Sequence, residues 1–411
     1  MKKFLGILLS LALILSLAAC NRGGATQSGG GGGGSNVLKI GAITSLSGAL
    51  QGYGEDFQRG FLLGLEHMTN GTNIVAGRPL EIIWEDTTNT PDVARERTMQ
   101  LLERDRVELV VGYASSGDAV ASMPLFEEFE TVAIIEPAAA DAIIQRENWN
   151  EYIFRTGRTS SQDALALISV LRSRHPDGNA RVATFAPDTT FGYSMANPFV
   201  ETMRSLGFTV TNTEFAPQDA NDFSPFFLRL RAAAPDYLYV IWAGANSPWT
   251  QLLELDLTGA GIQLITGAPD LPQLRGMVPL GQTGAFGFCV YYPTLPQNEP
   301  LNDWMVRRHQ EVYGLPADLF TSGGFAAAVA MCTALEKTGG RTEARLLIDT
   351  MRGMEFDSPT GKRWFRPQDH QAMQDLYEVE ITWQTGLDHA LPVFSRVIRA
   401  DEITPPVMNG R

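Results

Sequence analysis

Short apolar runs alternate with segments of helical spacing along most of the chain, and residues 108–142 show this pattern most clearly. An apolar run at 109–111 is followed by small polar residues, and a second apolar run occupies 132–135. Between the two runs, Val120 and Met123 are spaced as on one face of a helix. Two buried strands separated by an amphipathic helix are typical of a βαβ unit in a parallel sheet that is covered on both faces.

The residues that follow the two runs are small or polar, which suits a binding site at the edge of a sheet. Ser115 and Ser116 follow the first run, and Ala138, Ala139 and Ala140 follow the second. In open α/β sheets, ligands bind just beyond the carboxyl ends of the strands. Both segments can equally be ordinary βα turns without a ligand, so the pattern alone leaves the two interpretations open.

The alternation of strands and helices occurs twice in succession. One set fills residues 37–155, and the pattern starts again at Thr156. This arrangement predicts two parallel-sheet domains, and 411 residues are enough for two substantial cores. In the first helix, Gly60 and Gly64 predict close packing against the sheet. Three further helical segments precede the final strand-like runs, at 301–313, 320–337 and 343–351.

The N-terminus predicts export and a lipid anchor. Two lysines precede an apolar stretch at 4–17 that is too short for a comfortable membrane span. The sequence Leu-Ala-Ala-Cys that ends at Cys20 resembles the bacterial lipobox, which implies cleavage before Cys20 and lipidation of that residue. An anchor helix and an ordinary signal peptide that happens to contain a cysteine are the alternatives. We therefore expect a lipoprotein signal peptide at 1–19 and a lipidated, glycine-rich tether at 20–36.

Composition and motifs argue against several function classes. The formal net charge is −14 and no basic patch stands out, so nucleic-acid binding is not expected. The chain has no Gly-x-x-x-x-Gly-Lys phosphate loop, no His-Glu-x-x-His zinc motif and no paired cysteine motif. We expect no metal, no cofactor and no enzymatic activity. Cys289 and Cys332 can form a disulfide after export or remain two isolated buried thiols.

A series of motifs in a fixed order connects the chain to one known family. The chain opens with LKIGAITSLSGALQGYGEDFQRGFLLGLE and continues with VVGYASSGDAVASMP, AIIEPAAADAII and YIFRTGRTSSQDA. Later come DTTFGYSMANPFVETMRSLG, NDFSPFFLRLRAAAPDYLYV and FTSGGFAAAVAMCTALEKTGG. This series resembles the branched-chain amino-acid-binding (Leu/Ile/Val-binding protein-like) family of solute-binding proteins, which have the type I periplasmic-binding fold. The resemblance covers residues 37–399.

The resemblance implies an α/β fold in which two doubly wound parallel-sheet lobes are joined by three crossovers and close around a ligand. We place these crossovers near Thr156, Ala285 and Pro359. The lobes then divide the chain as follows: residues 37–155 and 285–358 form lobe one, residues 156–284 and 359–400 form lobe two, and residues 401–411 form a tail.

The resemblance also implies a polar ledge on lobe one that binds the ligand. Ser116 matches the serine that binds a ligand carboxylate in this family, and Ser115 lies beside it. Ala138, Ala139 and Ala140 match the second part of the ledge. Ala140 stands where amino-acid binders usually have threonine, so one hydroxyl contact to a carboxylate is missing.

Five more ligand-binding residues follow from the same resemblance. Ser160 stands near a position where an ammonium-binding aspartate is often found, and Asp270 matches the second acidic position of the family. Three aromatic residues match the walls of the ligand cleft, namely Tyr53, Phe191 and Phe325. The departures at Ala140 and Ser160 argue against an ordinary branched-chain amino acid as the ligand.

Several other side chains near these positions allow two interpretations. Glu136 and Asp141 flank the second part of the ledge, where they can offset a ligand cation or serve as a helix cap and a solvated loop acid. Arg155 and Arg158 lie at the first crossover, where either can grip a carboxylate bidentately or form an interdomain salt bridge. Trp242 ends a lobe-two strand and can line the cleft with its aromatic face.

Together these expectations describe an extracytoplasmic solute-binding protein that is lipid-anchored to the cell membrane, in a periplasm or at the cell surface. It would capture a small polar organic ligand, an amino acid or a relative, between its lobes. It would then deliver the ligand to the permease subunits of an ABC importer. A surface ligand sensor for a signalling partner and a cleft hydrolase are the alternatives.

Overall fold

The computed structural model describes residues 36–244 and 246–410. The strands in the first part of the chain build one six-stranded sheet. These strands are β1 (Leu38–Thr44), β2 (Ile74–Val75), β3 (Arg78–Asp86), β4 (Leu109–Gly112), β5 (Ala133–Ile135) and β6 (Ile153–Arg155). Their order is β2-β3-β1-β4-β5-β6, and all neighbours are parallel except β2 and β3.

The remaining strands build a seven-stranded sheet and a small three-stranded sheet. They are β7 (Arg181–Pro187), β8 (Thr209–Ala216), β9 (Tyr237–Val240), β10 (Gln263–Gly267), β11 (Phe286–Cys289), β12 (Glu355–Ser358), β13 (Gly361–Phe365), β14 (Ala372–Met373), β15 (Leu376–Thr382) and β16 (Leu391–Ile398). The large sheet has the order β16-β15-β11-β10-β9-β7-β8 and is parallel from β11 to β8. The antiparallel pair β15 and β16 extends one edge.

Helices connect most of the parallel strands. They are α1 (Gln51–Met68), α2 (Pro91–Met99), α3 (Ser116–Glu128), α4 (Ser160–Arg174), α5 (Thr190–Ser205), α6 (Ser224–Ala233), α7 (Trp249–Glu254), α8 (Leu271–Gly276), α9 (Pro300–Tyr313), α10 (Leu319–Lys337) and α11 (Ala344–Met351). A π-helical segment, Gln100–Asp105, continues α2, and the 3₁₀ segments are Asp141–Ile143 and Val278–Gln282. The three predicted C-terminal helical segments correspond to α9, α10 and α11.

The predicted βαβ unit at 108–142 is confirmed as β4, α3 and β5. All residues of both strands are buried, and Val110 pairs with Ala133 in a parallel register. Burial on both faces explains why the two runs are continuously apolar instead of alternating. Because β4 and β5 are parallel neighbours, the turns after them meet at the same edge of the sheet. The predicted fold class, two parallel-dominated α/β sheets, is confirmed as well.

Two glycines of α1 pack against α10 and not against the sheet, in contrast to the prediction. A Cβ atom added to Gly60 would lie 1.9 Å from the Thr321 carbonyl oxygen, and one added to Gly64 would lie 2.7 Å from Cβ of Ala328. The absence of side chains at these positions therefore allows the two helices to pack closely. In the described part of the chain, α10 is long and apolar enough to cross a membrane, but 89% of its apolar window is buried within the protein.

The chain passes between the two large sheets three times, and two of the predicted crossover positions need correction. We call the part built on the six-stranded sheet lobe one and the part built on the seven-stranded sheet lobe two. The first passage follows β6. The second follows Cys289, not Ala285, because β11 is hydrogen-bonded between β10 and β15. The third follows Met373, not Pro359, because β12, β13 and β14 first form the small sheet.

The structure describes the two cysteines of the globular part but not the predicted N-terminal features. Cys289 and Cys332 are both free and buried, which fits two isolated thiols and not a disulfide. The predicted signal peptide, the lipidated Cys20 and the tether up to residue 35 lie outside the described residues. Residues 401–410 follow β16, and Arg411 is likewise outside the described residues.

Candidate ligand-binding site

A cavity of about 270 Å³ lies where the carboxyl ends of the two large sheets face each other. Turns after β4 and β5 contribute from lobe one, and the ends of β9 and β10 contribute from lobe two. Parallel strands place their carboxyl ends, and the helix N-termini that follow, at one edge of each sheet. The fold thus brings two sets of βα turns together around one space.

Ser115 and Ser116 both line the cavity at the start of α3. The hydroxyl oxygen of Ser115 caps the helix by accepting a hydrogen bond from the Asp118 N–H at 3.3 Å. The hydroxyl oxygen of Ser116 accepts one from the Ala140 N–H at 3.1 Å and so ties the two turns of the ledge together. Each serine accepts one backbone hydrogen bond, which leaves its hydroxyl proton available to a ligand.

In the second part of the predicted ledge, only Ala139 reaches the cavity. Ala138 and Ala140 are buried and do not line it. The Ala139 carbonyl accepts hydrogen bonds from the backbone N–H of Ser160 at 2.7 Å and from its hydroxyl at 3.1 Å. Ser160 is fully buried, and these bonds hold it away from the cavity, so it does not take the place of an ammonium-binding acid.

Aromatic side chains from both lobes form the walls. Tyr53 and Phe320 come from lobe one and stack with ring centroids 4.0 Å apart. Phe191, Tyr239 and Trp242 come from lobe two. Tyr53 and Phe191 were predicted at the site, and Trp242 lines the cavity, as its place at the end of a lobe-two strand allowed.

Phe325 does not line the cavity, although it was predicted to do so. It is fully buried within α10, where its ring packs beside Trp304 and His67. Phe320, at the first turn of the same helix, occupies the wall instead. The two phenylalanines lie on different faces of α10, because one points toward the cleft and the other toward the packing of α1 and α9.

The two lobes touch through hydrogen bonds beside the cavity. The Tyr53 hydroxyl oxygen accepts a hydrogen bond from the Gly244 N–H at 3.2 Å. On the other side, the Ser194 hydroxyl oxygen accepts one from the Asp141 N–H at 2.7 Å. Both bonds join lobe one to lobe two, so this structure has the lobes closed around the cavity.

Asp270, a predicted ligand-binding acid, has a structural role in this lobe contact and does not line the cavity. Its carboxylate caps α8 by accepting a hydrogen bond from the Gln273 N–H at 2.8 Å. Asp318 caps α10 in lobe one and also accepts a hydrogen bond from the Leu271 N–H of lobe two at 2.8 Å. We call Asp270 and Asp318 the interlobe acid pair.

Burial dominates the chemistry of the interlobe acid pair. It raises the pKa of Asp270 above its ordinary range, and burial together with the charge of Asp270 raises the pKa of Asp318 to about 8. Burial, followed by the nearby Asp270 charge, also raises the pKa of Tyr53. Within the described residues, neither acid forms an ion pair with a basic side chain. The pair is therefore most stable with a proton bound.

Arg158 and Asp163 form the charged part of the cavity wall, and we call them the hinge pair. Arg158 follows the first crossover, and Asp163 lies in the first turn of α4. The Nε atom of Arg158 donates to a carboxylate oxygen of Asp163 at 3.2 Å, and both side chains are more than 90% buried. Burial raises the pKa of Asp163 to about 6, although the neighbouring guanidinium lowers it in part.

Arg155, the other crossover arginine, is occupied by structural contacts. It is fully buried and does not line the cavity. Its Nε atom donates to the Gln371 side chain at 2.5 Å, and its Nη1 atom donates to the Ala140 carbonyl at 2.6 Å. These bonds connect β6 to the segment before β14, so Arg155 joins parts of the backbone and is not placed to grip a ligand.

Glu136 and Asp141 are buried and also do not line this cavity. Glu136 accepts a hydrogen bond from the Thr156 hydroxyl at 2.9 Å, and Asp141 accepts one from the Ser161 hydroxyl at 2.6 Å. Neither is a solvated loop acid, and neither faces the cavity as a counter-ion. In the described chain, no group of three or more His, Cys, Asp or Glu side chains is arranged to hold a metal ion.

Comparisons with known proteins agree with this geometry. A family model described as periplasmic binding protein matches residues 37–386. The chain belongs to the periplasmic binding protein family. A crystal structure of an ABC-type branched-chain amino acid transporter protein from Rhodopseudomonas palustris is 36% identical, with a TM-score of 0.77, and the match covers 91% of this chain and 100% of that chain.

Two further relatives of this periplasmic binding protein show how far the similarity extends. The Leu/Ile/Val-binding protein homolog 6 of Brucella abortus is 23% identical over 353 residues, which is 84% of this chain and 88% of the relative. The fold is shared with an ABC transporter solute-binding protein of Rhodopseudomonas palustris that was crystallised with 3,4-dihydroxybenzoic acid. That structure is 24% identical, has a TM-score of 0.78, and the match covers 89% of this chain and 98% of that chain.

The structure groups the predicted residues of this periplasmic binding protein in two sets. Five line the cavity, and their role in binding stays a prediction: Tyr53, Ser115, Ser116, Ala139 and Phe191. Five do not line it, and the structure gives each of them another environment: Ala138, Ala140, Ser160, Asp270 and Phe325. Sequence reasoning missed Tyr239, Phe320 and Asp163 as cavity residues, although each lies within one of the motifs that carry the family resemblance.

Proposed function

We propose that this periplasmic binding protein captures a small organic ligand between its two lobes and delivers it to an ABC importer. The observation that carries this proposal is the cavity at which the carboxyl ends of both sheets meet. A ligand that contacts both lobes favours the closed arrangement over the open one, and the membrane partner can recognise that difference. The family match supports delivery to permease subunits.

The ligand class that we propose is a small carboxylic acid, which includes amino acids and aromatic acids. One relative is named for branched-chain amino acid transport, and another holds 3,4-dihydroxybenzoic acid. The aromatic walls and the two serine hydroxyls are compatible with both kinds of acid. The protein acts as a binder in this proposal and releases the ligand chemically unchanged.

The cellular location that we propose is outside the cytoplasm, with a lipid anchor at Cys20. Its support is the N-terminal sequence, which precedes the described residues. Growth of the host with a labelled fatty acid tests the anchor. The label should be incorporated into the protein and into Cys332→Ala, and it should be absent from Cys20→Ala. Equal labelling of all three proteins would contradict the anchor without affecting the binding proposal.

Thermal unfolding of the full chain in mild detergent tests the binding proposal. The panel should contain neutral amino acids, aromatic acids, amides and polyamines. A ligand at a hundred times its dissociation constant stabilises the folded state by about 2.7 kcal/mol, which is visible as a raised unfolding midpoint. We expect a shift with carboxylic acids and recovery of the compound unchanged. No shift across the whole panel, or turnover of the bound compound, would contradict the proposal.

A further inference from the structure

The hinge pair supplies all of the formal charge on the described cavity wall. Among the described residues, Arg158 is the only basic one that lines the cavity, and Asp163 is the only acidic one. The other lining residues are apolar, aromatic, hydroxyl-bearing or amide side chains. The charge preference of the cavity therefore depends on which atoms of these two residues remain available to a ligand.

The two terminal nitrogens of Arg158 are available. Only its Nε atom is hydrogen-bonded among the described residues, to Asp163. Neither terminal nitrogen is among the described buried polar atoms that lack a hydrogen-bond partner. Arg158 also borders a cavity of only about 10 Å³ beside Glu136 and Arg363, but it forms no ion pair with Glu136. The space that can receive a ligand is the large cavity.

The carboxylate of Asp163 is not available in the same way. One oxygen accepts from Arg158, and the other is buried with no hydrogen-bond donor in the described structure. Four other acids close to these elements, Asp118, Glu136, Asp141 and Asp270, do not line the cavity. An ammonium group in the cavity would meet only the Asp163 carboxylate, whose charge is already paired with Arg158. Its loss of water would therefore be less well compensated than that of a carboxylate placed at Arg158.

The body of the cavity favours a flat apolar group. In the described part of the chain, five aromatic rings line it, and they come from both lobes: Tyr53, Phe320, Phe191, Tyr239 and Trp242. Aromatic rings pack well against planar apolar surfaces. A volume of about 270 Å³ lies near the lower end of the range of ligand pockets, about 300 to 1,000 Å³, so the ligand must be small.

We propose that this protein is selective for small carboxylic acids that lack an α-ammonium group, and that Arg158 binds their carboxylate. This inference rests on the proposed function and narrows its ligand class. A guanidinium with two free terminal nitrogens matches the geometry of a carboxylate, which can accept two parallel hydrogen bonds. Asp163 is a positioning residue: it fixes the guanidinium through Nε and leaves the terminal nitrogens directed at the ligand.

Matched pairs of compounds test this inference with the full chain in mild detergent. Each acid is compared with the amino acid that differs only by the α-ammonium group. The pairs are 3-phenylpropionate with phenylalanine, 3-(4-hydroxyphenyl)propionate with tyrosine, and 4-methylpentanoate with leucine. Isothermal titration calorimetry at pH 7 measures each affinity. We expect at least one acid to bind, and to bind about 10- to 100-fold more tightly than its amino acid.

Variants assign the selectivity to the hinge pair. Arg158→Gln should weaken acid binding by about 10- to 100-fold, because it removes a charged hydrogen-bond donor. Arg158→Lys keeps the charge but not the two-pronged geometry and should restore only part of the affinity. Arg172→Gln, at an exposed position of the same helix α4, is the matched control and should bind like the wild type. Thermal unfolding of each variant verifies that it is folded.

Three outcomes would overturn the inference and still leave intact the proposal that the protein captures a small organic ligand between its lobes. The first is an amino acid that binds as tightly as its matched acid. The second is acid binding that is unchanged in Arg158→Gln. The third is binding of a different compound from the panel while every acid and amino acid fails. Failure of the whole panel, in contrast, would contradict the proposed function itself.

Discussion

Two buried acidic sites lie where the lobes meet, and they differ in the way their charge is compensated. At the hinge pair, Asp163 is compensated by the guanidinium of Arg158, and the arginine faces the cavity. At the interlobe acid pair, Asp270 and Asp318 lie close together without a basic partner among the described residues, and neither of them lines the cavity. One site keeps its charges by pairing them, while the other favours a bound proton.

This difference indicates two separate tasks. A cation with free donors can recognise an anionic ligand, because its hydrogen bonds to a carboxylate form inside a low-dielectric space. Two carboxyls that approach each other only when the lobes meet respond to pH, because closure moves both into a site that disfavours charge. The hinge pair therefore determines which ligand binds, and the interlobe acid pair determines how readily the lobes close at a given pH.

The largest effect is expected from breaking the hinge pair on one side only. Arg158→Gln leaves the Asp163 carboxylate buried and unpaired, which should reduce the free energy of unfolding by about 3 kcal/mol at pH 8. Because the pKa of Asp163 is already raised to about 6, the loss should be smaller at pH 5, where this carboxyl accepts a proton. Chemical denaturation at the two pH values measures the difference.

A double variant separates this loss of stability from ligand recognition. Arg158→Gln combined with Asp163→Asn removes both charges and should recover most of the free energy of unfolding. It should not recover binding of the acid, because the guanidinium is still missing. A double variant that stays as unstable as Arg158→Gln would show that Asp163 is not the group left unpaired.

The second effect is a pH dependence of ligand affinity that comes from protonation of the interlobe acid pair. The pKa of Asp318 in the closed form is about 8, above its ordinary value, so its contribution is present at low pH and is lost as pH rises through 8. The affinity of the protein for its carboxylic acid ligand should therefore fall as pH rises from 5 to 9. If one proton is involved, the fall is at most about tenfold per pH unit. Tyr53 and Asp56 of α1 also face this pair.

The pH profile of a variant isolates this contribution. Asp318→Asn should give a flatter profile, because its side chain still accepts a hydrogen bond but no longer takes up a proton. Asp163→Asn leaves the interlobe acid pair unchanged and shows how much of the profile comes from Asp163, whose pKa of about 6 lies in the same range. Affinity measured at each pH for the wild type and both variants decides the matter. Parallel profiles for the wild type and Asp318→Asn would contradict the role of the interlobe acid pair.

A smaller effect is expected at the ledge, which has no net charge. Ser116→Ala removes the acceptor of the buried Ala140 N–H, which should lower the free energy of unfolding by about 1 to 2 kcal/mol and weaken ligand binding several-fold. Ser122→Ala removes a hydroxyl of the same helix that donates to the Asp118 carbonyl, and it should leave binding unchanged. Equal ligand affinity in the two variants would show that Ser116 does not contribute to ligand binding.

The parts of the site that follow a strand were predictable from the sequence. Ser115 and Ser116 lie in the turn after the continuous apolar run of β4, and a buried parallel strand fixes the position of the turn that follows it. The turn after β5 was predicted for the same reason. Its individual alanines were less predictable, because only packing decides which of three consecutive small residues faces the cavity.

The parts that depend on contacts between elements were not predictable in this way. Asp270 precedes a Leu-Pro pair and caps α8, a local signal that could have been recognised from the sequence. Phe320 and Phe325 belong to one helix, and the packing of α1 against α10 decides which of them faces the cleft. For Arg158, the sequence left a ligand contact and a salt bridge as alternatives. In the structure, Arg158 forms an ion pair with Asp163 and also lines the cavity.

A crystal structure of the protein with the tightest-binding acid of the matched pairs tests the central claim most directly. We predict that the carboxylate oxygens lie about 3 Å from the terminal nitrogens of Arg158, with the apolar body between the aromatic walls of the two lobes. A carboxylate bound instead at the ledge of Ser115 and Ser116, with both terminal nitrogens of Arg158 unoccupied by the ligand, would contradict the account.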